Sequence, residues 1–216
     1  MKKRLKLSAA LLILLSLFIS GCSSSLQNLA VSKKLVSDYY ENGQYEKELQ
    51  EILNDVKPEI DKITPGKMSA VIFDVDETTL SNYKFMKQYD FGYERHIWDE
   101  WIAKAEAEPI IPVRNFYNYL VEKGFRIILL TGRRDYHYQP TYDNLKATGY
   151  TQFDTLITRS KDEYKLSAVD YKTAVRNALT QKGYDIKANF GDQQSDLDGG
   201  NSGIAVKLPN YQYGVE

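Results

Sequence analysis

Four aspartates stand at positions that could build one charged site. Asp74 and Asp76 follow one short apolar run of the sequence, and Asp192 and Asp196 follow another. Ligands of an open parallel sheet bind beyond the carboxyl ends of its strands, so we expect these carboxylates to converge. Carboxylates at close range repel one another unless a cation or protons intervene. Because oxygen ligands in a partly open site suit Mg²⁺ better than zinc or copper, the pattern indicates a magnesium site.

Residues that could donate hydrogen bonds to an anion also lie beside predicted strands. Thr131, Gly132 and Arg133 come directly after a third apolar run, and Lys172 opens a predicted helix before the run that precedes Asp192. Each signal alone is weak, because Asp-x-Asp pairs often cap turns and lysines at helix starts are commonly solvated. Their common placement beside predicted buried strands, in order along the chain, is a far more specific pattern.

The elements that must position these residues alternate between strand and helix. Continuous apolar runs are typical of strands buried on both faces of a sheet. Five such runs predict strands at 70–73, 125–130, 155–157, 187–190 and 203–206. Helical spacing occurs at 112–122 and 171–182, and also at 29–63, where Asn42-Gly43 predicts a break between two helices. This alternation predicts an α/β fold, a parallel sheet flanked by helices.

Residues 81–111 interrupt the alternation and form a predicted accessory element. Its seven aromatic residues are Tyr83, Phe85, Tyr89, Phe91, Tyr93, Trp98 and Trp101. Residues 96–107 also have the apolar spacing of an amphipathic helix. Two interpretations stay open, a small aromatic core beneath a helical element and a lid whose rings line a substrate pocket.

The first 21 residues are predicted to be a signal peptide. Four basic residues precede an apolar run at 7–20, which is short for a membrane span and typical of a signal-peptide core. The small residues before Cys22 resemble a bacterial lipobox, which implies cleavage before Cys22 and lipidation of its side chain. An ordinary secretory signal with an incidental cysteine and a retained membrane anchor are the alternatives.

The predicted layout is a signal peptide at 1–21, a polar tether at 22–28 and one domain at 29–216. Acyl chains on Cys22 would anchor the exported domain in a bacterial cell envelope. Ser23 after the cysteine resembles outer-membrane sorting, should the cell be Gram-negative.

Composition excludes several classes of function. The single cysteine excludes an internal disulfide framework and a cysteine-based zinc site, and two histidines leave little for a histidine-rich metal centre. The whole chain has a net charge of -1; without residues 1–21, 24 Lys+Arg stand against 29 Asp+Glu, a net charge of -5. Because an acidic domain does not attract a polyanion, we expect no nucleic-acid polymer as partner. The oligomeric state stays open, a homo-oligomer included.

Four motifs resemble those of the haloacid dehalogenase (HAD) superfamily. They are Phe-Asp-Val-Asp-Glu-Thr-Thr-Leu at 73–80, Leu-Thr-Gly-Arg at 130–133, Tyr-Lys at 171–172 and Gly-Asp-Gln-Gln-Ser-Asp-Leu at 191–197. Asp143-Asn-Leu and the ending Lys207-Leu-Pro-Asn-Tyr211 are similar to the acid phosphatase branch. That branch includes bacterial lipoprotein acid phosphatases and plant vegetative storage proteins. The resemblance covers residues 29 to 213 and implies a Rossmann-like HAD fold with a small helical accessory or cap element.

The resemblance implies roles for the carboxylates. Asp74 would be the nucleophile that forms an aspartyl-phosphate, and Asp76 would protonate the leaving oxygen and then activate water. Mg²⁺ would be held by the Asp74 carboxylate, the Asp76 main-chain carbonyl and Asp192, with Asp196 as a direct or water-mediated partner. Thr131, Gly132 and Lys172 would bind the phosphoryl group.

Other polar residues have less definite roles. Arg133, Arg134 and Asp135 could orient substrate or form surface ion pairs, and both interpretations stay open. His96 and His137 are expected to be packing or surface residues.

The expected function is a Mg²⁺-dependent acid phosphatase acting on small phosphomonoesters. The aromatic residues at 83–101 suit a planar leaving group, so 5′-nucleotides are a hypothesis for the substrate. A non-catalytic ligand-binding or storage protein on the same fold is the main alternative. A dehalogenase-like activity is disfavoured because that chemistry would not need Asp76.

Overall fold

The computed structural model describes residues 27–215, so the predictions for the signal peptide and for Cys22 lie outside the described residues. The chain divides into two units, Met1–Ser32 and Lys33–Glu216, and the candidate site lies within the second. Among residues 27–215, no helix combines the length and apolar character needed to span a bilayer.

The described helices and strands alternate through most of the chain. The helices are α1 (Leu29–Glu41), α2 (Gln44–Asp61), α3 (Tyr83–Gln88), α4 (Arg95–Lys104), α5 (Ile111–Glu122), α6 (Tyr138–Ala147), α7 (Ala168–Gln181) and α8 (Gln194–Leu197). The strands are β1 (Ser69–Phe73), β2 (Leu80–Ser81), β3 (Glu108–Pro109), β4 (Arg126–Arg134), β5 (Thr155–Arg159), β6 (Asp185–Gly191) and β7 (Ile204–Lys207).

Five strands form one parallel sheet in the order β5-β4-β1-β6-β7. The α/β fold class predicted from the sequence is therefore confirmed. The chain continues from β1 to β4 on one side and later to β6 on the other, so β1 lies at the switch point where such sheets bind ligands. All five residues of β1 are buried.

The alternation of side chains along β1 explains why both faces are covered. Val71 and Phe73 pack in one apolar cluster with residues of α2, α5 and α6. Ala70 and Ile72 point the opposite way, into a second cluster that includes Tyr171 of α7. Burial on both faces holds the carboxyl end of β1 at a fixed position between two helical layers.

Some boundaries differ from the sequence prediction. Helix α7 begins at Ala168 because the Ser167 side chain accepts the backbone N–H of Asp170, so Lys172 lies one turn inside the helix rather than opening it. The predicted break at Asn42-Gly43 is confirmed, since Gly43 adopts the left-handed region at φ 77° between α1 and α2.

The accessory segment contains a feature that the sequence did not predict. Strands β2 and β3 pair antiparallel as a separate ribbon, with only two residues each. Two residues are too few for an alternating pattern to be recognised. The ribbon joins the two ends of the segment that carries α3 and α4. Helix α4 ends at Lys104, and the next residue, Ala105, has a left-handed φ of 53°.

Candidate active site

A buried ion pair joins the end of β1 to helix α7. Asp74 follows β1, and its backbone N–H donates to the Phe190 carbonyl at 2.9 Å. The Lys172 ammonium donates to Asp74 Oδ1 and to the Leu130 carbonyl, the latter at 2.7 Å. It also lies 3.0 Å from Asp196 Oδ1. One cation therefore bridges two carboxylates and a strand end in the interior.

Three carboxylates form the floor of the site. Asp74, Asp192 and Asp196 are all buried, and one oxygen of each lies within 4.8 Å of the others. Burial raises the pKa of Asp74 well above its ordinary value, Lys172 opposes the rise, and the neighbouring carboxylates add to it. Burial and Asp196 raise the pKa of Asp192 to about 6. Among residues 27–215, Lys172 is the only cation that pairs with these carboxylates, so the ionised group lacks a further positive charge.

Asp192 is held in place by donors from distant segments. Asn210 Nδ2 donates to Asp192 Oδ2 at 2.7 Å, and Thr78 Oγ1 donates to Oδ1 at 3.2 Å. Both donors were missed as functional residues in the sequence analysis. They lie inside the motifs at 73–80 and 207–211, which are the signal that could have identified them.

The backbone around Asp196 is fixed by buried polar side chains. Its carbonyl accepts Asn189 Nδ2 at 2.7 Å and Arg176 Nη1 at 2.6 Å. Its Oδ2 accepts the Gln193 backbone N–H at 2.9 Å. A Cβ on Gly191 would lie 2.4 Å from Asp196 Cβ, so this glycine is required by close approach.

Asp76 lies outside the group of three carboxylates and faces a different set of donors. Arg133 Nε lies 3.1 Å from both Asp76 oxygens, and Nη2 lies 2.6 Å from Oδ1. Asn82 Nδ2 donates to Asp76 Oδ1 at 2.8 Å. Of the two interpretations left open for Arg133, the structure therefore favours ion pairing, although the pair lines the site rather than the outer surface.

Asn82 connects Asp76 to the accessory element. Its Oδ1 accepts the indole N–H of Trp101 in α4 at 2.8 Å. Its backbone N–H donates to Glu77 Oε1 at 2.6 Å. Burial, with Asp76 nearby, raises the pKa of Glu77 to about 8. Helix α4 is thus joined by hydrogen bonds to the carboxylate that the sequence analysis assigned as an acid.

Thr131 and Gly132 occupy different environments at the end of β4. Thr131 is fully buried, and its hydroxyl accepts the backbone N–H of Arg133 at 3.1 Å. Gly132 is exposed and lines the cavity. The pairing of β4 with β5 is irregular between Leu130 and Arg134, which turns this backbone out of the sheet.

These groups open into a cavity of about 670 Å³. That volume lies within the range usual for small-molecule sites, roughly 300–1,000 Å³. Its floor contains the three carboxylates with Lys172. Its apolar wall includes Met86, Phe91, Tyr93 and Trp98 from the accessory segment, and its cationic side chains include Arg95, Arg134 and Arg159. The aromatic residues therefore serve both a core and a cavity, because Trp101 packs in the core while Trp98 lines the cavity.

The two histidines differ in position. His96 is exposed beside Glu94, as expected of a surface residue. His137 is 5% exposed and lines the cavity, with Nε2 3.1 Å from Asp99 Oδ1 in a geometry that makes no hydrogen bond. Burial lowers the pKa of His137.

Comparison with known proteins identifies a protein family, several relatives and solved structures that are similar to this chain. The family described as HAD superfamily, subfamily IIIB (Acid phosphatase) matches residues 23–216. The stem 28 kDa glycoprotein of Glycine max is 39% identical over 151 residues, which are 67% of this chain and 59% of that protein. Acid phosphatase 1 of Solanum lycopersicum is 36% identical over 66% of this chain and 57% of its own length. Vegetative storage protein 1 of Arabidopsis thaliana is 38% identical over 67% and 54%.

The matched region spans less than two thirds of the length of these relatives. Among solved structures, the class C acid phosphatase of Bacillus anthracis with tungstate bound has a TM-score of 0.70 at 23% identity, covering 84% of this chain and 85% of that one. This likeness confirms the fold. Since the family match extends over nearly the whole chain, the protein belongs to the HAD superfamily, subfamily IIIB, the acid phosphatases.

Proposed function

We propose that this protein is a Mg²⁺-dependent acid phosphatase that hydrolyses small phosphomonoesters. The observation that carries the proposal is Lys172, a buried ammonium between Asp74 and Asp196 beneath a cavity of substrate size. Such an arrangement can neutralise a phosphoryl group while keeping a carboxylate oxygen available for attack. Membership of the acid phosphatase subfamily supports the same activity.

The donor set fits a magnesium ion. Asp74, Asp192 and Asp196 offer only oxygen atoms, and one lysine leaves the ionised group with an excess of negative charge. These residues, with the Asp76 main-chain carbonyl, would hold the ion. When bound, Mg²⁺ supplies positive charge that offsets the carboxylates and the phosphoryl oxygens.

The residues of the chain supply the remaining steps. An Asp74 oxygen attacks phosphorus, the bond to the leaving oxygen breaks, and Asp76 gives that oxygen a proton. Asp76 then takes a proton from water as the water attacks the aspartyl-phosphate, which releases inorganic phosphate and restores Asp74. Lys172 and the backbone N–H groups at Thr131 and Gly132 would hold phosphoryl oxygens.

The proposal is tested by measuring phosphate release from 4-nitrophenyl phosphate with Mg²⁺ and with a chelator. We expect Asp74→Asn to lose turnover, because its amide cannot act as the nucleophile. Asp55→Asn, an exposed substitution on α2, is the matched control. Full activity of Asp74→Asn would refute the covalent mechanism, and full activity in chelator would refute the metal requirement.

We further propose 5′-nucleotides as substrates. Phe91, Tyr93 and Trp98 line the cavity and offer ring faces on which a base can stack. Turnover of a nucleoside 5′-monophosphate should exceed that of a sugar phosphate under the same conditions. A strict preference for the sugar phosphate would reject this substrate class.

A storage-type protein is the second candidate, because relatives 38% and 36% identical carry the name vegetative storage protein. This candidate predicts ligand binding without turnover across a panel of phosphomonoesters. The carboxylate of Asp74 at the end of β1, which can act as a nucleophile, favours the enzyme.

We also propose a lipid anchor at Cys22 and a location in the bacterial cell envelope. The family match begins at residue 23, directly after this cysteine. Cys22→Ser should move the protein from the membrane fraction to the soluble fraction. Unchanged fractionation would contradict the anchor.

A further inference from the structure

Three guanidinium groups of the cavity lack carboxylate partners in the part of the chain that the structure describes. Arg95, Arg134 and Arg159 all line it. Within residues 27–215, no carboxylate oxygen lies within 4.0 Å of their nitrogen atoms, whereas Arg133 beside them pairs with Asp76. Since residues 22–216 carry a net charge of -5, cations left without counter-ions in one cavity require a local explanation.

Two of these arginines lie side by side on neighbouring strands. Arg134 of β4 and Arg159 of β5 are register partners. Arg134 Cζ lies 4.4 Å from the centre of the Tyr164 ring, and Arg159 Cζ lies 4.9 Å from that of Tyr171. A guanidinium over an aromatic ring can bind an anion through those of its N–H groups that no other acceptor occupies.

Unsatisfied polar atoms mark the same region. Tyr171 is 1% exposed and lines the cavity, yet its hydroxyl has no hydrogen-bond partner among the described residues. Arg159 donates from Nη2 to the Leu166 and Ser167 carbonyls at 2.7 and 2.9 Å, but its buried Nε has no partner in residues 27–215. Buried donors are normally satisfied, so a cluster of free ones at a cavity indicates a ligand group.

The acidic side chains of this region are engaged elsewhere. Asp135 accepts the Tyr164 hydroxyl at 2.6 Å, and Asp99 accepts that of Tyr136 at 3.2 Å. The Glu163 carboxylate accepts hydrogen bonds from the backbone N–H and the hydroxyl of Ser160 at the start of a short helical turn. These contacts leave the carboxylates charged, but they direct the acidic oxygens toward tyrosine and serine groups rather than toward Arg134 and Arg159.

We propose that Arg134, Arg159 and the Tyr171 hydroxyl form a second anion subsite, with Arg95 at its rim. The inference rests on the proposed phosphatase function and deepens it. The substrate class it assigns is a phosphomonoester that carries a second anionic group, a phosphate or carboxylate. Lys172 and the floor bind the phosphoryl group that reacts, while the arginine pair binds the group that stays on the product.

The test compares substrates that differ in the second phosphate. Release of the 5′-phosphate is measured for adenosine 5′-monophosphate and adenosine 3′,5′-bisphosphate, and release of the 6-phosphate for fructose 6-phosphate and fructose 1,6-bisphosphate. In at least one of the two pairs, we expect kcat/KM of the bisphosphate to exceed that of the monophosphate by roughly tenfold or more. Charge-assisted hydrogen bonds to the second phosphate account for a gain of this size. Arg134→Gln and Arg159→Gln should each lower that ratio toward one. Arg126→Gln, at the opposite end of β4, should keep it.

The outcomes separate the two proposals. Arg134→Gln is the safer variant for folding, because Arg134 makes no side-chain hydrogen bond in the described part of the chain. Equal kcat/KM for both members of each pair, or an equal loss for both in the arginine variants, overturns the second subsite. Absence of turnover on every substrate overturns the phosphatase function instead. In that case the second subsite is tested by measuring the binding of the same four compounds by calorimetry. We expect each bisphosphate that uses the subsite to bind more tightly than its monophosphate.

Discussion

Arg133 and Asp76 form an ion pair in which both carboxylate oxygens contact Nε and one also contacts Nη2. The remaining guanidinium nitrogen, Nη1, donates to Thr141 Oγ1 at 3.0 Å. Arg133 is buried, so its planar fork has little freedom to rotate. The pair therefore fixes the direction in which Asp76 faces the cavity.

We predict that Arg133→Lys lowers kcat more on an alkyl phosphate than on 4-nitrophenyl phosphate. A lysine cannot reproduce the two-oxygen contact, and a poorly placed Asp76 matters most when the leaving oxygen needs a proton. The loss on the alkyl phosphate should be roughly 10²-fold or more, the lower end of what general acid catalysis contributes. Arg126→Lys is the control. Equal losses on both substrates would show that Arg133 does not act through Asp76.

Lys172 is predicted to be essential to the fold of the site in the absence of metal. Lys172→Met leaves three buried carboxylates without their cation, which should lower the free energy of unfolding by about 3–5 kcal/mol. Added Mg²⁺ should recover part of the loss, whereas Lys182→Met, at an exposed helix end, should change little. Denaturant unfolding with and without Mg²⁺ measures this. A metal-free Lys172→Met variant as stable as the parent would contradict it.

His137 should make stability dependent on pH below its ordinary pKa of 6.5. Burial lowers its pKa in the folded state, so between the two values the unfolded chain binds more protons and stability rises with pH. Acidification through this window therefore removes stability, and His137→Gln should flatten the slope. Unfolding measured between pH 5 and 8 provides the comparison, with His96→Gln as surface control. An unaltered slope in His137→Gln would count against the assignment.

Gly191→Ala is expected to damage the floor of the site. The new Cβ would lie 2.4 Å from Asp196 Cβ and 2.5 Å from its Oδ2, so the carboxylate must move. We expect a loss of about 1–3 kcal/mol in stability, together with weaker Mg²⁺ binding measured by calorimetry. Gly66→Ala is a suitable control because its nearest neighbour is Ser69 Oγ at 3.7 Å. Equal Mg²⁺ affinity in the two variants would show that Asp196 tolerates displacement.

The sheet could be predicted from the sequence because buried parallel strands consist of continuous apolar runs. Asp74 and Asp192 were found for the same reason, since each follows such a run directly. The ion pair between Arg133 and Asp76 could not be predicted, because the two residues lie 57 positions apart and no local sequence pattern indicates such a contact. Arg176 was missed for a related reason. Apart from the Thr173 hydroxyl, its hydrogen-bond partners are backbone carbonyls. Every residue possesses a carbonyl, so the placement of these partners depends on the folded chain alone.

The indole of Trp101, bonded to Asn82, has a spectroscopic consequence. The chain has two tryptophans, and both lie on α4. Trp101 is buried and hydrogen-bonded, whereas Trp98 lines the cavity. The fluorescence emission of Trp101 therefore reports the integrity of the core, while the emission of Trp98 responds to a ligand that enters the cavity. The native chain thus carries separate fluorescent reporters of unfolding and of binding on one helix, and Trp98→Phe isolates the first.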